Sequence, residues 1–176
     1  SVESMEEAYF CVRQEGVAAL QIIFNIFRQK PIHTLFAEAK RRKVALLVRL
    51  PLASGLLGGK MTKATTFTAD DHRRFNANGQ KFNVGETFVG LPFPIGAALS
   101  QELRGLVPAG YTMTQMALRW CLDHPEVTTI IPGAKNAAYA AANSAASDLP
   151  PLTDALHAQL REFYKGKVRQ HIRGPY

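Results

Sequence analysis

The stretch VTTIIPGAKN, residues 127–136, combines a strand, a turn and the start of a helix. Its first five residues are all β-branched, which favours a strand over residues 127–131. Pro132-Gly133 then marks a turn, and a helix is predicted to begin at Asn136. The first turn of a helix presents unpaired N–H groups and the positive end of its dipole. The stretch is therefore a candidate anion-binding site.

Strands and helices alternate along the rest of the chain. Two further strands are predicted over residues 17–24 and 44–50, and the second, VALLVRL, is almost continuously apolar, as in a buried parallel strand. Helices are predicted over residues 4–13, 31–43, 95–106, 112–123, 136–146 and 153–168. This alternation indicates βα units around a parallel sheet. Since a complete eight-stranded βα barrel takes about 250 residues, three strands look like part of a larger fold.

Residues 61–90 break this pattern, because they are polar, contain glycine and show no periodicity. An irregular segment of this length in a compact chain is typically a functional lid or clasp, or else mobile. Its Asp70-Asp71-His72 triplet lacks further spaced ligands, so no metal site is predicted.

The composition indicates one globular domain over residues 1–176, with a hydrophobic content of 47%. No apolar run is long enough to cross a bilayer, and no secretory signal is evident. Cys11 and Cys121 lack CxxC spacing, which favours reduced thiols in a cytoplasmic protein. The first residue is not Met, so a processed, trimmed or partial chain is one interpretation.

The net charge of +7 favours anionic partners, either nucleic acid or a phosphorylated cofactor. The basic residues are dispersed rather than interleaved with aromatic residues, so nucleic acid is not the predicted partner. The densest basic run, residues 40–43, ends a predicted helix, where cations complement the dipole. The glycine-rich stretch after residue 53 fails as a P-loop, because Ser54 replaces the first glycine and Met61 replaces the magnesium-binding Ser or Thr.

Four sequence features resemble the aldo-keto reductases, NADPH-dependent enzymes built on a (β/α)8 TIM barrel. They are LQIIFNIF (20–27), VRLPLASGLLGGK (48–60), MTQMALRWCLDHPEVTTIIPGAKN (113–136) and Asn143. Their order and spacing are those of the family. The resemblance implies an incomplete barrel of this α/β class: strands six to eight with their helices, and residues 61–90 as a cofactor clasp.

The resemblance also implies a site for NADP(H). At the nicotinamide end, Ser1 and Gln21 match residues that hold the carboxamide, although Val2 replaces the usual asparagine. Arg49 stands where the family often has an aromatic residue that stacks on the nicotinamide, and a planar guanidinium can also stack. The positions that follow this residue and match the family segment are Leu50, Pro51 and Leu52.

The phosphate and adenosine end of the cofactor is matched by a second group of residues. The segment beside the pyrophosphate corresponds to Ser54, Gly55, Leu56 and Lys60, and the clasp arginine corresponds to Arg73. Gly133 and Lys135 match contacts to the 2′-phosphate and ribose, and Asn143 matches an adenine contact. Tyr139 and Ala142 depart from the family, which has Gln or Arg and Glu there. NADPH is preferred over NADH because Lys135 puts a cation near a helix N-terminus.

Each of these assignments has a plainer alternative. Gln21 could be an ordinary polar residue at the end of a strand, Gly133 a turn glycine, and Lys135 an exposed lysine. No catalytic residue is predicted, because the family's Asp, Tyr, Lys and His set belongs to barrel segments that this sequence does not contain.

The sequence therefore predicts the C-terminal segment of an NADPH-dependent enzyme that reduces a small aldehyde or ketone. The alternatives are a non-catalytic NADPH-binding or interaction module, and a truncated gene product without activity. Because such a segment leaves two barrel edges open, self-association or a chain that completes the barrel is also expected.

Overall fold

Three parallel strands form the centre of the molecule, which was analysed as a computed structural model that describes residues 1–176. They are β1 (Ala19–Ile23), β2 (Ala45–Arg49) and β3 (Val127–Ile131), in the order β1-β2-β3. All three predicted strands are thus confirmed, although β1 and β2 are shorter at both ends than the predicted ranges 17–24 and 44–50. Strand β2 is paired on both sides, whereas β1 and β3 each leave one edge unpaired.

Eight α-helices surround or extend from this sheet. They are α1 (Met5–Cys11), α2 (Pro31–Thr34), α3 (Phe36–Arg42), α4 (His72–Phe75), α5 (Phe93–Leu103), α6 (Met113–Leu122), α7 (Ala137–Ser144) and α8 (Asp154–Phe163). Local sequence explains where several begin. Capping boxes join Ser4 to Glu7 at α1 and Thr112 to Gln115 at α6, so that orphan N–H groups are satisfied at both helix starts.

The single helix predicted over residues 31–43 is wrong, because α2 ends at Thr34 and α3 begins at Phe36. Leu35 between them is buried, and the apolar spacing of Leu35, Phe36 and Ala39 continues across the break. Periodicity therefore gave no sign of it. The exposed basic run does end α3, as predicted, and Glu38 pairs with both Arg41 and Arg42 there.

The core lies between one face of the sheet and the helices. Ile22, Leu46 and Val48 are fully buried on that face, and Phe24 and Trp120 pack against each other with ring centroids 4.8 Å apart. The opposite face is only partly covered, since Gln21, Leu47 and Arg49 are half-buried. This inner face is the one that would line the interior of a closed barrel.

Residues 61–90 are largely irregular, as predicted, but both ends of the segment are anchored in the core. Met61, Phe88 and Val89 are buried, and Phe88 stacks near Phe93 at the start of α5. Between these anchors the only α-helix is the four-residue α4, and Asp71 caps it by accepting from the backbone N–H of Arg73.

Candidate cofactor site

The carboxyl ends of the three strands lie at one edge of the sheet, and most of the predicted site residues follow them. In parallel βα folds this edge is where ligands bind. Gln21 is the exception to the prediction, because it lies in the middle of β1 and not at its end. It still faces inward: side chains alternate along a strand, and Ile23, which shares the face of Gln21, pairs with Arg49. Gln21 and Arg49 therefore lie on the same face of adjacent strands.

The N-terminal segment runs beside this pair. The backbone N–H of Val2 donates to the carbonyl of Gln21 over 3.1 Å, which places exposed Ser1 next to β1. The carbonyl of Val2 accepts from Nη2 of Arg49 over 3.0 Å. Ser1, Gln21 and Arg49, the three residues predicted at the nicotinamide end, are thus brought together.

Arg49 is held firmly by its neighbours. Its Nη1 forms an ion pair with the carboxylate of Glu86, and its side chain is only 13% exposed. The Nε atom is buried and has no hydrogen-bond partner. Arg49 is thus fixed by Glu86 and by the Val2 carbonyl, and its Nε–H is the one donor without a partner. Stacking of its guanidinium on a nicotinamide stays a prediction.

The segment after β2 has an unusual backbone. Leu50, Ala53 and Ser54 have positive φ although none is glycine, and such strained residues cluster at functional sites. Gly55 also has positive φ. The carbonyl of Leu50 accepts from Nδ2 of Asn25 over 2.8 Å, which fixes the turn.

The side chains of this segment point in different directions. Pro51 and Leu56 are buried and Leu52 is half-buried, and the carbonyl of Leu56 accepts from the Ser100 hydroxyl. Neither the side chain of Leu56 nor its carbonyl is therefore free for a ligand. Ser54 accepts from the Phe88 N–H over 3.0 Å, which ties the segment to the end of the 61–90 loop.

Arg73 and Gly55 are brought together as the resemblance implies. A Cβ placed on Gly55 would lie 3.7 Å from Nη1 of Arg73 and 2.7 Å from the flexible methyl end of Met61, and the φ of +99° favours glycine there. Arg73 stacks over Phe67 and forms a two-pronged ion pair with Asp71. Hydrogen bonds from Arg73 lower the pKa of the Asp71 carboxyl to about 2.

Lys60 is not part of this group. It is exposed and lines a separate cleft of about 380 Å³ between the end of the 53–58 segment and the start of α6.

The predicted adenosine end is an open surface at β3 and α7. Gly133, Lys135 and Tyr139 are exposed, and Asn143 is half-buried and donates to the carbonyl of Gly133 over 3.3 Å. Asn136 caps α7 by accepting from the Tyr139 N–H. The cleft between β3 and α7 measures about 390 Å³. A Cβ on Gly133 would meet nothing within 4 Å, so neither backbone strain nor crowding demands glycine there.

These features fit a dinucleotide at its two ends. One end offers the half-buried Gln21 amide. The other offers open space over Gly133 and an exposed lysine at the start of an eight-residue helix. No group of three or more His, Cys, Asp or Glu side chains is arranged to hold a metal ion.

Three side chains at the carboxyl edge escaped the sequence predictions. Asn25 and Arg28 follow β1 in the FNIFR stretch, and Glu86 comes from the 61–90 loop. Arg28 is 2% exposed and donates to the carbonyls of Val89 and Pro175. Asn25 and Arg28 could have been predicted as site residues, because they are polar and come shortly after an apolar strand. Nothing in the local sequence indicates such a position for Glu86.

The aldo/keto reductase family model matches residues 1–165 of the chain. The chain belongs to this family. It is 29% identical over 123 residues to the aldo-keto reductase YhdN of Bacillus subtilis, a match that covers 68% of this chain and 35% of the relative. It is 28% identical over 134 residues to a probable voltage-gated potassium channel subunit beta of Arabidopsis thaliana, covering 73% and 38%.

Solved aldo-keto reductases share the fold. The glycerol dehydrogenase AKR11B4 from Gluconobacter oxydans matches with a TM-score of 0.66 and 25% identity, covering 90% of this chain and 44% of that chain. The holo form of AKR11C1 from Bacillus halodurans matches with a TM-score of 0.64 and 20% identity, covering 98% and 51%. This aldo-keto reductase chain thus spans about half of the solved relatives, and its sheet and helices form an incomplete (β/α)8 barrel.

The family to which the chain belongs has a known type of chemistry. Aldo-keto reductases are oxidoreductases that act on carbonyl substrates with a nicotinamide cofactor. None of the helices has the length and apolar character that crossing a membrane requires.

Proposed function

We propose that this chain forms the NADPH-binding part of an aldo-keto reductase that reduces an aldehyde or ketone. The main support is that residues matched to one cofactor lie within or after three different strands whose carboxyl ends share one edge of the sheet. When bound, the nicotinamide would supply the hydride for the carbonyl carbon. Gln21 and Ser1 would orient the carboxamide, and Gly133 and Lys135 would hold the adenosine phosphate.

The proton donor lies outside these residues in this proposal. Burial raises the pKa of Tyr164 to about 12, which does not suit a proton donor, and Tyr139 lies exposed on α7 at the adenosine end. The chain would therefore bind the cofactor without turning over substrate. Full activity would require the barrel segments that supply the Asp, Tyr, Lys and His set.

We propose that a second polypeptide completes the barrel by pairing with the outer edges of β1 and β3. Neither edge has a partner strand, although the Val2 N–H donates to the Gln21 carbonyl on β1, and Ile131 at the end of β3 is 47% exposed. A polypeptide that supplies the missing parallel strands would cover these groups. Light scattering of the chain, alone and mixed with such a segment, measures whether a complex forms; a chain that stays monomeric in both cases contradicts this proposal.

Lys135→Ala tests both whether the chain binds a nicotinamide dinucleotide and whether Lys135 contacts its 2′-phosphate. Because a charge-assisted contact is lost, the dissociation constant for NADPH is expected to rise about tenfold, while that for NADH stays unchanged. Fluorescence titration of the bound nucleotide measures both. Lys40→Ala is the control, since Lys40 is an exposed lysine on α3 near the amino end of β3, where it pairs with Glu126. Equal losses of NADPH and NADH binding, or no binding by the unmodified chain, would overturn the assignment.

A non-catalytic NADPH-binding module is the second candidate. The similarity to a protein named as a potassium channel beta subunit favours it. The two candidates differ in one outcome: when an N-terminal aldo-keto reductase segment completes the barrel, the enzyme gains turnover of an aldehyde, whereas the binding module gains none.

A further inference from the structure

The C-terminal tail, residues 173–176, lies along the irregular 61–90 loop and is bound to it mainly by Arg173. The backbone N–H and the Nε–H of Arg173 both donate to the carbonyl of Gly90, over 3.2 and 2.9 Å. Its Nη1 and Nη2 donate to the side-chain oxygen of Asn78 and to the carbonyl that precedes Asn78, over 2.9 and 3.1 Å. One arginine thus joins two parts of the loop that are distant in sequence.

The contacts between the tail and the loop depend on shape more than on charge. The side-chain acceptors of Arg173 are two carbonyls and one amide oxygen, all of which are neutral. A planar guanidinium reaches the three acceptors at once, which the single ammonium group of a lysine cannot do. The next residue, Gly174, packs closely, since a Cβ on it would lie 2.6 Å from Cγ1 of Val84.

The far end of the tail is bound to the segment that follows β1. Buried Arg28 donates to the carbonyl of Pro175 over 2.6 Å, and Lys30 donates to the carbonyl of Tyr176. The guanidinium of Arg28 also lies over the Tyr176 ring, 4.8 Å from its centroid. The tail therefore bridges the loop and the carboxyl edge of the sheet.

The loop ends in three consecutive residues with a left-handed backbone. Phe88, Val89 and Gly90 have φ values of +51°, +53° and +87°. This conformation is rare for residues other than glycine, and above all for a β-branched valine, so it persists only where the surrounding structure holds it. Arg28 holds the carbonyl of Val89 and Arg173 holds the carbonyl of Gly90. Residues 88–90 are thus a strained hinge that the tail helps to hold in place.

The loop closes the nicotinamide corner, which is formed by Arg49, Ser54 and Glu86. The carboxylate of Glu86 pairs with Arg49, and the Ser54 hydroxyl accepts from the Phe88 N–H over 3.0 Å. The Arg49 side chain is only 13% exposed and its Nε is buried. A ligand cannot reach this nitrogen until the loop moves.

We propose that the C-terminal tail is a latch, which through Arg173 and Gly174 holds the hinge at residues 88–90, and with it the 61–90 loop, closed over the nicotinamide corner. The tail thereby controls how fast a cofactor enters and leaves this corner. This control of the cofactor rests on the proposed NADPH site, whereas the hold of the tail on the loop does not. Arg173 is a positioning residue, because it acts through the loop and not on the ligand.

Hydrogen exchange without nucleotide tests the latch by itself. Arg173→Lys keeps the charge but loses the planar fork, so amide exchange of residues 77–88 should become about tenfold faster. Arg169→Lys is the matched control, since Arg169 is an exposed arginine of the same C-terminal segment. Exchange within β1 and α6 should stay unchanged, which shows that the variants are folded.

A second variant disrupts the latch at a different residue. Gly174→Ala pushes the tail away from Val84 and should also speed the exchange of residues 77–88. Its control is Gly110→Ala, because Gly110 has a similar φ of +82° but a Cβ on it would meet nothing within 4 Å. The control should leave exchange in the loop as it is.

Stopped-flow fluorescence with NADPH tests the control of the cofactor. A looser latch opens the corner for entry and for exit alike. Arg173→Lys should therefore raise the association and dissociation rate constants together, about fivefold, and change Kd by less than about twofold. A residue that only contacted the cofactor would mainly raise the dissociation rate constant, and Kd with it. Adenosine 2′,5′-bisphosphate does not extend to the nicotinamide corner, so its rate constants should not change.

The outcomes separate the latch from the function on which its role depends. Unchanged exchange of residues 77–88 in both tail variants overturns the latch and leaves the proposed function standing. Faster exchange with unchanged rate constants for NADPH overturns the control of the cofactor by the tail. If the unmodified chain does not bind NADPH, the proposed function and that control are overturned together, and exchange without nucleotide still decides whether the tail holds the loop.

Discussion

The two ends of the candidate cofactor site are built in opposite ways. At the nicotinamide corner, Arg49 and Ser54 are held by bonds to residues 86–88. At the adenosine corner, formed by residues 133–143, no residue of α7 is buried and Lys135 lies in solvent. One corner is organised by the chain itself, and the other depends on what binds to it.

Sheet topology accounts for this difference. Strand β2 is paired on both sides, so the segment that follows it is surrounded by neighbours. Strand β3 is paired only with β2, and three of its five residues are exposed. In a complete barrel a further strand would lie beside β3. The openness of the adenosine corner is therefore a property of this half of the fold.

The largest expected contrast lies between the core beneath the sheet and the open corner. Trp120 is 1% exposed and packs on Phe24, whereas Tyr139 is 51% exposed. Trp120→Ala should lower the free energy of unfolding by about 3–5 kcal/mol, and Tyr139→Ala should change it by less than about 0.5 kcal/mol. Urea denaturation measures both. Similar losses would mean that the open corner is packed after all.

Arg28 is expected to stabilise the nicotinamide corner. It donates to the carbonyls of Glu3, Val89 and Pro175, and so joins the N-terminal segment, the 61–90 loop and the C-terminal tail. Arg28→Met leaves these carbonyls without their donor and should lower the free energy of unfolding by about 2–4 kcal/mol. Arg104→Met, at an exposed arginine after α5, is the matched control. An Arg28 variant as stable as that control would contradict the role of Arg28 in joining the three segments.

Glycine substitutions separate structural need from ligand contact. A Cβ on Gly90 would lie 2.5 Å from the Arg173 carbonyl at a φ of +87°, so Gly90→Ala should be clearly destabilising. Gly133 has open space, so Gly133→Ala should change the free energy of unfolding by less than about 0.5 kcal/mol. Its effect should appear in NADPH affinity instead. If Gly133→Ala unfolds the chain and Gly90→Ala does not, the contrast between the corners is wrong.

A smaller expected effect is the pH dependence of the free energy of unfolding, which involves His124, a residue in the core beneath the sheet and away from both corners. Burial lowers the pKa of His124, whose Nδ1–H donates to the Trp120 carbonyl over 2.8 Å, with His157, Asp123 and Glu126 nearby. The unfolded chain therefore binds this proton more readily than the folded chain. Stability should be complete above about pH 6.5 and decline as the pH falls below it. His124→Gln should flatten this decline in denaturation series at several pH values, and an unchanged slope would assign the effect to other groups.

Much of the organised half of the fold could be predicted from sequence. Apolar runs located all three strands, and Ser4 and Thr112 marked the starts of α1 and α6, because these signals depend on a few neighbouring residues. The contacts at the nicotinamide corner could not be predicted. Arg49 and Glu86 are separated by 37 positions and meet only after the irregular 61–90 loop has folded back. Local pattern contains no information about such a meeting.

For the site residues too, the positions could be predicted from sequence and the side-chain environments could not. Family motifs matched the positions after β2 and β3, yet only the three-dimensional structure shows that Leu56 is buried, that Lys60 lines a separate cleft and that Gln21 lies within its strand. Side-chain direction depends on packing against distant residues, which a motif does not record.

Amide hydrogen exchange with and without saturating NADPH tests the central claim most directly, namely that the two corners bind one dinucleotide. Without NADPH, residues 133–143 should exchange rapidly and residues 49–56 slowly. With NADPH, protection should increase at residues 133–143 and at residues 84–90 together, whereas adenosine 2′,5′-bisphosphate should protect only the former. Protection by NADPH at neither corner, or at one corner alone, would contradict the claim.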